Sequence, residues 1–410
     1  MNTILPIIYY QHLIKKTGYI LVFIILLYSC KSKESINLIT SAQSFVKLDS
    51  FEIQTGFTPS LHYSGYLQDG DSEYVYLANL LVHDTIHLYT YPELKKRKNI
   101  ALTEVLDLGY EFYNVHIFNL DSIMLLGRYH NIMFTINDKG EIIHKKNLEP
   151  FCDADSFHVN LDFLNDINQN LYTFNNKKYL LLNASNISLK PNLETKIEDW
   201  HKFFKSPFID PTLAMYSFSD HTLKIDSLSL FRPLNPDGRK YMIPMFWDNC
   251  RFRDNILIIS LYSDTLYILN PEHLTLENKI PLKFSGGKLG MEGIPISNEN
   301  FLKEIELTQE NRKKGGYAQK IFTDRKNKNV FIEVLHPRTK KEIEQNKQVQ
   351  ISFLVLDSNL NQIDEEPFRF SNINPNFIIP VSNGFLISID DPKNPNFNEN
   401  KARFALFRYE

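Results

Sequence analysis

The feature that most constrains this chain is a recurring unit: an apolar strand, a turn built on Asn, Asp or Pro, and a second, more polar strand. Four copies stand out, at Ile86–Ile100 (IHLYTYPELKKRKNI), Ile132–Leu148 (IMFTINDKGEIIHKKNL), Leu266–Ile280 (LYILNPEHLTLENKI) and Phe353–Phe368 (FLVLDSNLNQIDEEPF). Their successive starts differ by 46, 134 and 87 residues. One period of about 45, taken once, three times and twice, fits all of them. Units of about 40–50 residues with several strands each mark the blades of a β-propeller, in which small sheets bury their faces against their neighbours. Weaker copies fall near the unfilled positions, at Leu171–Phe174 and Thr222–Leu230, and a last one at Phe404–Tyr409. The expected fold is therefore all-β, a propeller of six to seven blades, with the spacing favouring seven.

The rest of the pattern agrees. Short apolar or alternating runs such as Tyr74–Ala78, Ile256–Leu261, Val349–Leu356 and Phe385–Ile389 read as strands. Between such runs stand Asp138-Lys139-Gly140, Asn235-Pro236-Asp237-Gly238 and Ser382-Asn383-Gly384, residues that tolerate turn geometry. The 30 Phe and 21 Tyr suit pleated, half-buried surfaces. At the two ends, Phe45–Ile53 lacks a partner before it and Arg403–Tyr409 lacks one after it. Pairing them in one blade would close the ring and hide both edges.

Two helices interrupt the strands. Asn192–Lys205 places Leu193, Ile197, Trp200 and Phe204 on one face. Asn300–Lys314 ends in basic residues and stops at Gly315-Gly316. Together with the Gly-rich Ser285–Gly293, this second helix fills the place near residue 310 where a repeat is missing. Residues 283–316 thus read as an insertion between blades, and a long insertion on a rigid scaffold is where binding concentrates.

Before the first strand lies a different kind of segment. Gly18–Ser29 is an apolar run of 12 residues that follows Lys15 and Lys16 and precedes Cys30. A membrane span needs about 20 residues, whereas a short apolar core after positive charge, ending in a small residue, is the pattern of an export signal. The expected organisation is a signal peptide at 1–29, a polar tether at 30–44 and the propeller at 45–410. Without Lys15 and Lys16 the balance is 43 basic to 48 acidic residues. That mild acidity gives no footprint for nucleic acid. The run Lys95-Lys96-Arg97-Lys98 is short and isolated, and reads as a solvated loop or an edge strand.

Leu27-Tyr28-Ser29-Cys30 resembles the lipobox of bacterial lipoproteins, although Tyr28 stands where a small residue is usual. With the repeats, and with Tyr317–Pro337 (YAQKIFTDRKNKNVFIEVLHP), the chain resembles a family of uncharacterised lipoproteins of Bacteroidota-type bacteria that carry six- or seven-bladed propellers. The positions that match are Tyr317, Ile321, Asp324, Asn329, Val330, Phe331 and Pro337; the turn between them is more basic here, through Arg325, Lys326 and Lys328. The resemblance implies that the thiol of Cys30 is diacylated, that the signal is cut before it and that its freed amine is acylated. Membrane lipid is then one partner, with several acyl chains giving stable anchoring. The location it implies is the cell envelope, at the outer membrane, with the periplasmic and surface faces both open. It implies no catalytic residues.

The sequence holds no GxxxxGK[ST], GxGxxG, GxSxG or HExxH. His83-Asp84-x-x-His87 would put two imidazoles on one face of a strand, but Asp84-Thr85 also reads as a turn that breaks that geometry. Asp153-Ala154-Asp155 with His158 reads as a solvated turn, and Trp247-Asp248 is a lone dipeptide. Besides Cys30, Cys152 and Cys250 are either a disulfide or two buried thiols. No cofactor, metal or catalytic residue is expected, and Cys30 is the one residue with an assigned role. The reading is a lipid-anchored, non-catalytic propeller that binds an unknown protein or glycan. The alternatives are a carbohydrate-active or glycan-binding propeller, marked by three or more carboxylates beside exposed aromatics, and a purely structural scaffold.

Overall fold

The computed structural model describes residues 44–410 apart from 60–62, 81–82, 111, 128–130, 149, 151–152, 155–156, 164–170, 175, 187–211, 227–246, 262, 292–300, 325–327, 346, 348, 369–373 and 391–396. Strand β1 (Phe45–Gln54) is held over for the last sheet. The first blade is β2 (Gly65–Asp69), β3 (Ser72–Leu77), β4 (Thr85–Thr90) and β5 (Lys96–Ala101). The second is β6 (Phe112–Asn119), β7 (Ser122–Gly127), β8 (Ile132–Ile136) and β9 (Ile142–Asn147). The third is larger, with β10 (Asp153–Ala154), β11 (Phe157–Phe163), β12 (Leu171–Phe174), β13 (Lys177–Asn186), β14 (Thr212–Ser217) and β15 (Thr222–Asp226). In it β11 and β12 pair with different halves of the long β13.

The fourth blade is β16 (Trp247–Phe252), β17 (Asn255–Ser260), β18 (Thr265–Leu269) and β19 (Leu276–Pro281). The fifth is β20 (Tyr317–Thr323), β21 (Val330–Leu335), β22 (Ile351–Leu356) and β23 (Gln362–Phe368). The sixth joins β24 (Asn374–Val381), β25 (Gly384–Ser388) and β26 (Lys401–Tyr409) to β1, from the other end of the described chain. All pairings are antiparallel, and the closing register runs from Phe45 opposite Tyr409 to Gln54 opposite Lys401. The fold is a six-bladed β-propeller whose ring closes through the predicted pairing of its ends.

Six blades replace the seven that the spacing favours. Third strands begin at residues 85, 132, 212, 265, 351 and 401, so single steps measure 47, 80, 53, 86 and 50 residues. The two long steps carry insertions that mimic whole periods. Both weak copies, Leu171–Phe174 and the strand within Thr222–Leu230, belong to the third blade. The four strong copies are the outer hairpins of blades one, two, four and five.

What holds the ring is burial between blades. Middle strands such as β7, β17, β22 and β25 are buried along nearly their whole length, while the outermost β5, β9 and β19 are mostly exposed. Six apolar clusters each join two consecutive blades around the ring. Leu180 and Leu182 of the third blade, for example, meet Met124 and Leu126 of the second. Between the fifth and sixth blades the cluster is aromatic. Phe45 of the closing strand lies 5.0 Å from the Phe353 ring and 5.6 Å from the Phe331 ring. Burying one such ring contributes about 1.5–3 kcal/mol, which is how the closing strand is fixed.

The outer turns of blades two, four and five are built on one plan. The Oδ1 atoms of Asn137, Asn270 and Asp357 each accept two backbone N–H groups, from Lys139 and Glu141, Glu272 and His273, and Asn359 and Asn361. The following left-handed position is Gly140, Leu274 and Leu360 in these turns, and Leu94 is left-handed in the corresponding turn of blade one. A leucine there costs about 1–3 kcal/mol. Leu94 and Leu274 are buried between blades, and about 1.5–3 kcal/mol of apolar burial offsets that strain. Gly140 cannot be replaced in this way, because a Cβ would stand 1.9 Å from the Ala101 carbonyl oxygen of the first blade.

Candidate functional site

The two ends of the strands differ. Turns from first to second strand and from third to fourth are mostly short, such as 70–71, 120–121, 253–254 and 382–383. Connections from second to third strand and from blade to blade include 282–316, 336–350 and 389–400. The long connections are the place to look for a site.

The segment after β19 is fastened at both ends. At its start, the Gln362 side chain accepts from Lys283 N at 2.9 Å and donates to the Lys283 carbonyl at 2.7 Å. Glu365 accepts from Ser285 N at 2.7 Å and from Ser285 Oγ at 2.6 Å. Its helix, Phe301–Lys314, stops at Gly315 and Gly316, both left-handed. A Cβ on Gly315 would lie 2.2 Å from the His336 carbonyl oxygen, so the turn requires glycine.

Arg338 ties the end of this helix to the loop between β21 and β22. Its Nε and Nη2 donate to the Lys313 carbonyl at 3.0 and 2.6 Å, and its Nη1 donates to the Lys347 carbonyl at 3.3 Å. Helix ends leave carbonyls unsatisfied, and a guanidinium fork supplies donors for them. Beside it, the short helix Lys340–Glu344 begins with a capping box. Thr339 Oγ1 accepts from Glu342 N, and the Glu342 carboxylate accepts from Thr339 N. Those bonds hold the Glu342 carboxyl below its ordinary range.

Deeper in the same region, Ser352 Oγ and His336 Nε2 are 2.6 Å apart, and the imidazole packs on the Phe284 ring at 4.7 Å. Ser352 is fully buried, so the pair braces the loop and exposes no hydroxyl. Burial lowers the His336 pKa, with Glu365 opposing.

The inner strands carry buried polar groups. Asp248 of Trp247-Asp248 lies on β16, and its Oδ2 accepts from Ile321 N on β20 at 2.8 Å, across blades. Asp248 thus links blades four and five. On β21, Glu333 is fully buried opposite Lys320, next to a bulge at Gln319. Gln319 Nε2 donates to Glu333 Oε1 at 3.2 Å, while Oε2 has no hydrogen-bond partner. Burial raises the Glu333 pKa to about 7, against the opposing effects of Lys320 and Gln319. A carboxyl so perturbed beside an inner strand is a candidate functional group. Its signal in the sequence is one acid inside the apolar run Val330–Leu335. His116 on β6 is likewise held neutral, its pKa lowered to about 4 by burial.

Between the first and sixth blades, at the short-turn end, lies a polar cleft of about 490 Å³. Asp71, Glu73, Glu93, Ser382 and Asn383 line it. Ser382 Oγ donates to Glu73 at 2.6 Å, and Tyr91 donates its hydroxyl to Asn383. Tyr74 and Tyr91 also line the cleft but are buried, so the three carboxylates do not stand beside exposed rings.

His83 and His87 come together, though on aromatic surface. Their rings lie 5.0 and 4.8 Å from the ring of Phe57. His87 has its pKa lowered to about 4, first by burial and then by Lys96 and His83. Among the described residues no group of three or more His, Cys, Asp or Glu could hold a metal ion. Cys250 is a free, buried thiol whose pKa is raised by burial and by Asp248. Asp324 accepts from Lys328 N and Asn329 N, which closes the turn of the lipoprotein-like stretch. Lys96–Ala101, which holds most of the basic run, is the outermost strand of its blade, as expected. Cys30, Cys152, the predicted helix Asn192–Lys205 and the Asn235–Gly238 turn lie outside the described residues, as do the side chains of Asp153, Asp155 and His158.

No protein-family model matches the chain, and no curated protein matches it. Solved structures do. A member of the DUF4221 family from Bacteroides vulgatus superposes with a TM-score of 0.67 at 16% identity, covering 90% of this chain and 98% of that one. A Bacteroides fragilis protein, described only provisionally as exported, gives 0.47 at 11% identity over 90% and 95%. A luciferin-regenerating enzyme gives 0.42 at 10% identity, again over 90% and 95%. The first likeness is one of fold, and the other two add nothing to it. The chain shares its propeller architecture with a Bacteroides protein of the DUF4221 family.

Proposed function

We propose that this is a lipid-anchored envelope protein, held through acylated Cys30, whose propeller binds a partner without catalysis. The observation that carries the reading is the difference between the ends of the strands. One end has mostly short turns. The other presents the long connections 282–316 and 336–350, stapled to blade five by Gln362, Glu365 and Arg338. A rigid ring that holds long loops in fixed positions is suited to recognition. The exposed large apolar side chains among the described residues are all aliphatic: Val46, Leu48, Leu108, Ile143 and Leu307. That set favours a protein partner over a sugar, which is gripped by stacking on aromatic faces.

Anchoring is tested with globomycin, which blocks lipoprotein signal cleavage, and with Cys30→Ser. The precursor should accumulate in the first case, and the variant should lose acyl labelling in the second. Unchanged processing under globomycin, or a processed Cys30→Ser protein still bound to membrane, would sink the anchor.

A further inference from the structure

The end of the inserted helix and the loop between β21 and β22 form one cationic surface. Lys313 and Lys314 end the helix, and Lys340, Lys341 and Lys347 stand on the loop; all five are exposed. Arg338 fixes them as one body, because the same guanidinium holds the carbonyls of Lys313 and Lys347. A backbone bond from Arg338 N to the Lys314 carbonyl adds to it. The acids beside these lysines answer them only in part. Glu310 is exposed on the same helix, three and four residues before Lys313 and Lys314, Glu342 stays ionised in its capping box beside Lys347 and Arg338, and Glu344 stands 3.9 Å from Lys340 in an exposed pair. Such a pair is worth about 0–1 kcal/mol and leaves the field of the patch in place. The whole chain has a net charge of −3, so this ridge is a local reversal.

Resting on the reading of the propeller as a binding module, we infer that this ridge docks an acidic segment of a partner protein. Two observations choose a protein over a lipid surface or an anionic glycan. First, the chain enters the ring at Phe45, opposite Tyr409, where the other blades have their third-to-fourth-strand turn. The ridge is made of connections at the other end of the strands from that entry. Second, the exposed face of the helix that carries Lys313 and Lys314 also bears Leu307, 42% exposed. An aliphatic contact within a charged rim is the anatomy of a protein interface.

The test uses the mature chain and poly-L-glutamate as the probe, with phosphatidylglycerol vesicles and an acidic polysaccharide as competitors. Complementary charge predicts saturable binding to polyglutamate that weakens at least about tenfold between about 50 and about 300 mM salt. Replacing the five lysines with alanine should weaken it by about tenfold or more, whereas Lys47→Ala/Lys139→Ala, elsewhere on the ring, should leave it unchanged. A second variant, Lys340→Ala/Lys341→Ala/Lys347→Ala, leaves the helix intact and should show an intermediate loss. No binding to polyglutamate, or equal binding by the five-site variant, overturns the docking surface. Tighter binding to the vesicles or the polysaccharide overturns the choice of partner. Neither result touches the anchoring test at Cys30, so the two failures are separable.

Discussion

Glu333→Gln should stabilise the protein, and by an amount that grows with pH. Glu333 is fully buried, with one hydrogen bond from Gln319 and one oxygen without a partner. Burial raises its pKa from the ordinary 4.5 to about 7. Between those values the folded state holds a proton that the unfolded state has released, so folding stability falls as pH rises through this window. The loss is absent below about 4.5 and complete above about 7, where it amounts to about 3 kcal/mol. Glutamine has the same shape and no charge to desolvate, so its variant lacks this slope. Its own unpaired amide adds a constant, and the pH-dependent part alone carries the test. Urea unfolding of both proteins from about pH 4.5 to about pH 8.5 should give a difference that grows by about 3 kcal/mol. A difference that stays flat across that range refutes the reasoning.

Three further outcomes are expected. Gly140→Ala places a methyl group 1.9 Å from the Ala101 carbonyl and strains a left-handed backbone, so it should cost about 2 kcal/mol or more, read as a fall in Tm. Arg338→Ala removes all three side-chain bonds to the Lys313 and Lys347 carbonyls; hydrogen exchange should quicken at residues 339–347 and not in β7 or β17. Asp248→Ala leaves Ile321 N without its acceptor and should cost about 1–3 kcal/mol in urea unfolding, while Asp248→Asn, which keeps an acceptor oxygen, should cost less.

The outer hairpins were legible because their chemistry is local. An Asn or Asp that caps its own turn, followed by a polar strand on the rim, leaves the same mark in blades two, four and five. Blade number was less legible, because an inserted loop adds residues without adding a repeat. Thus steps of 80 and 86 residues each pass for two periods near 45. Among polar groups, Asp248 read as an accident of sequence. Its partner, Ile321 N, is 73 residues away, and no local pattern announces such a bond. Glu333 left a trace as a charge within an apolar run, but the sequence cannot say that Gln319 reaches it from a bulge.

By itself, then, the sequence determined the class of the fold, the outer strand pairs of four blades and the partnership of the two ends. Those features rest on side-chain alternation and on turns closed within a few residues. Tertiary structure decided the rest: six blades, Asp248 and Glu333 buried beside the inner strands, and five lysines gathered around Arg338. Each of these depends on groups far apart in the chain that meet only when the blades pack. Desolvation, which sets the Glu333 pKa, exists only once that packing has excluded water.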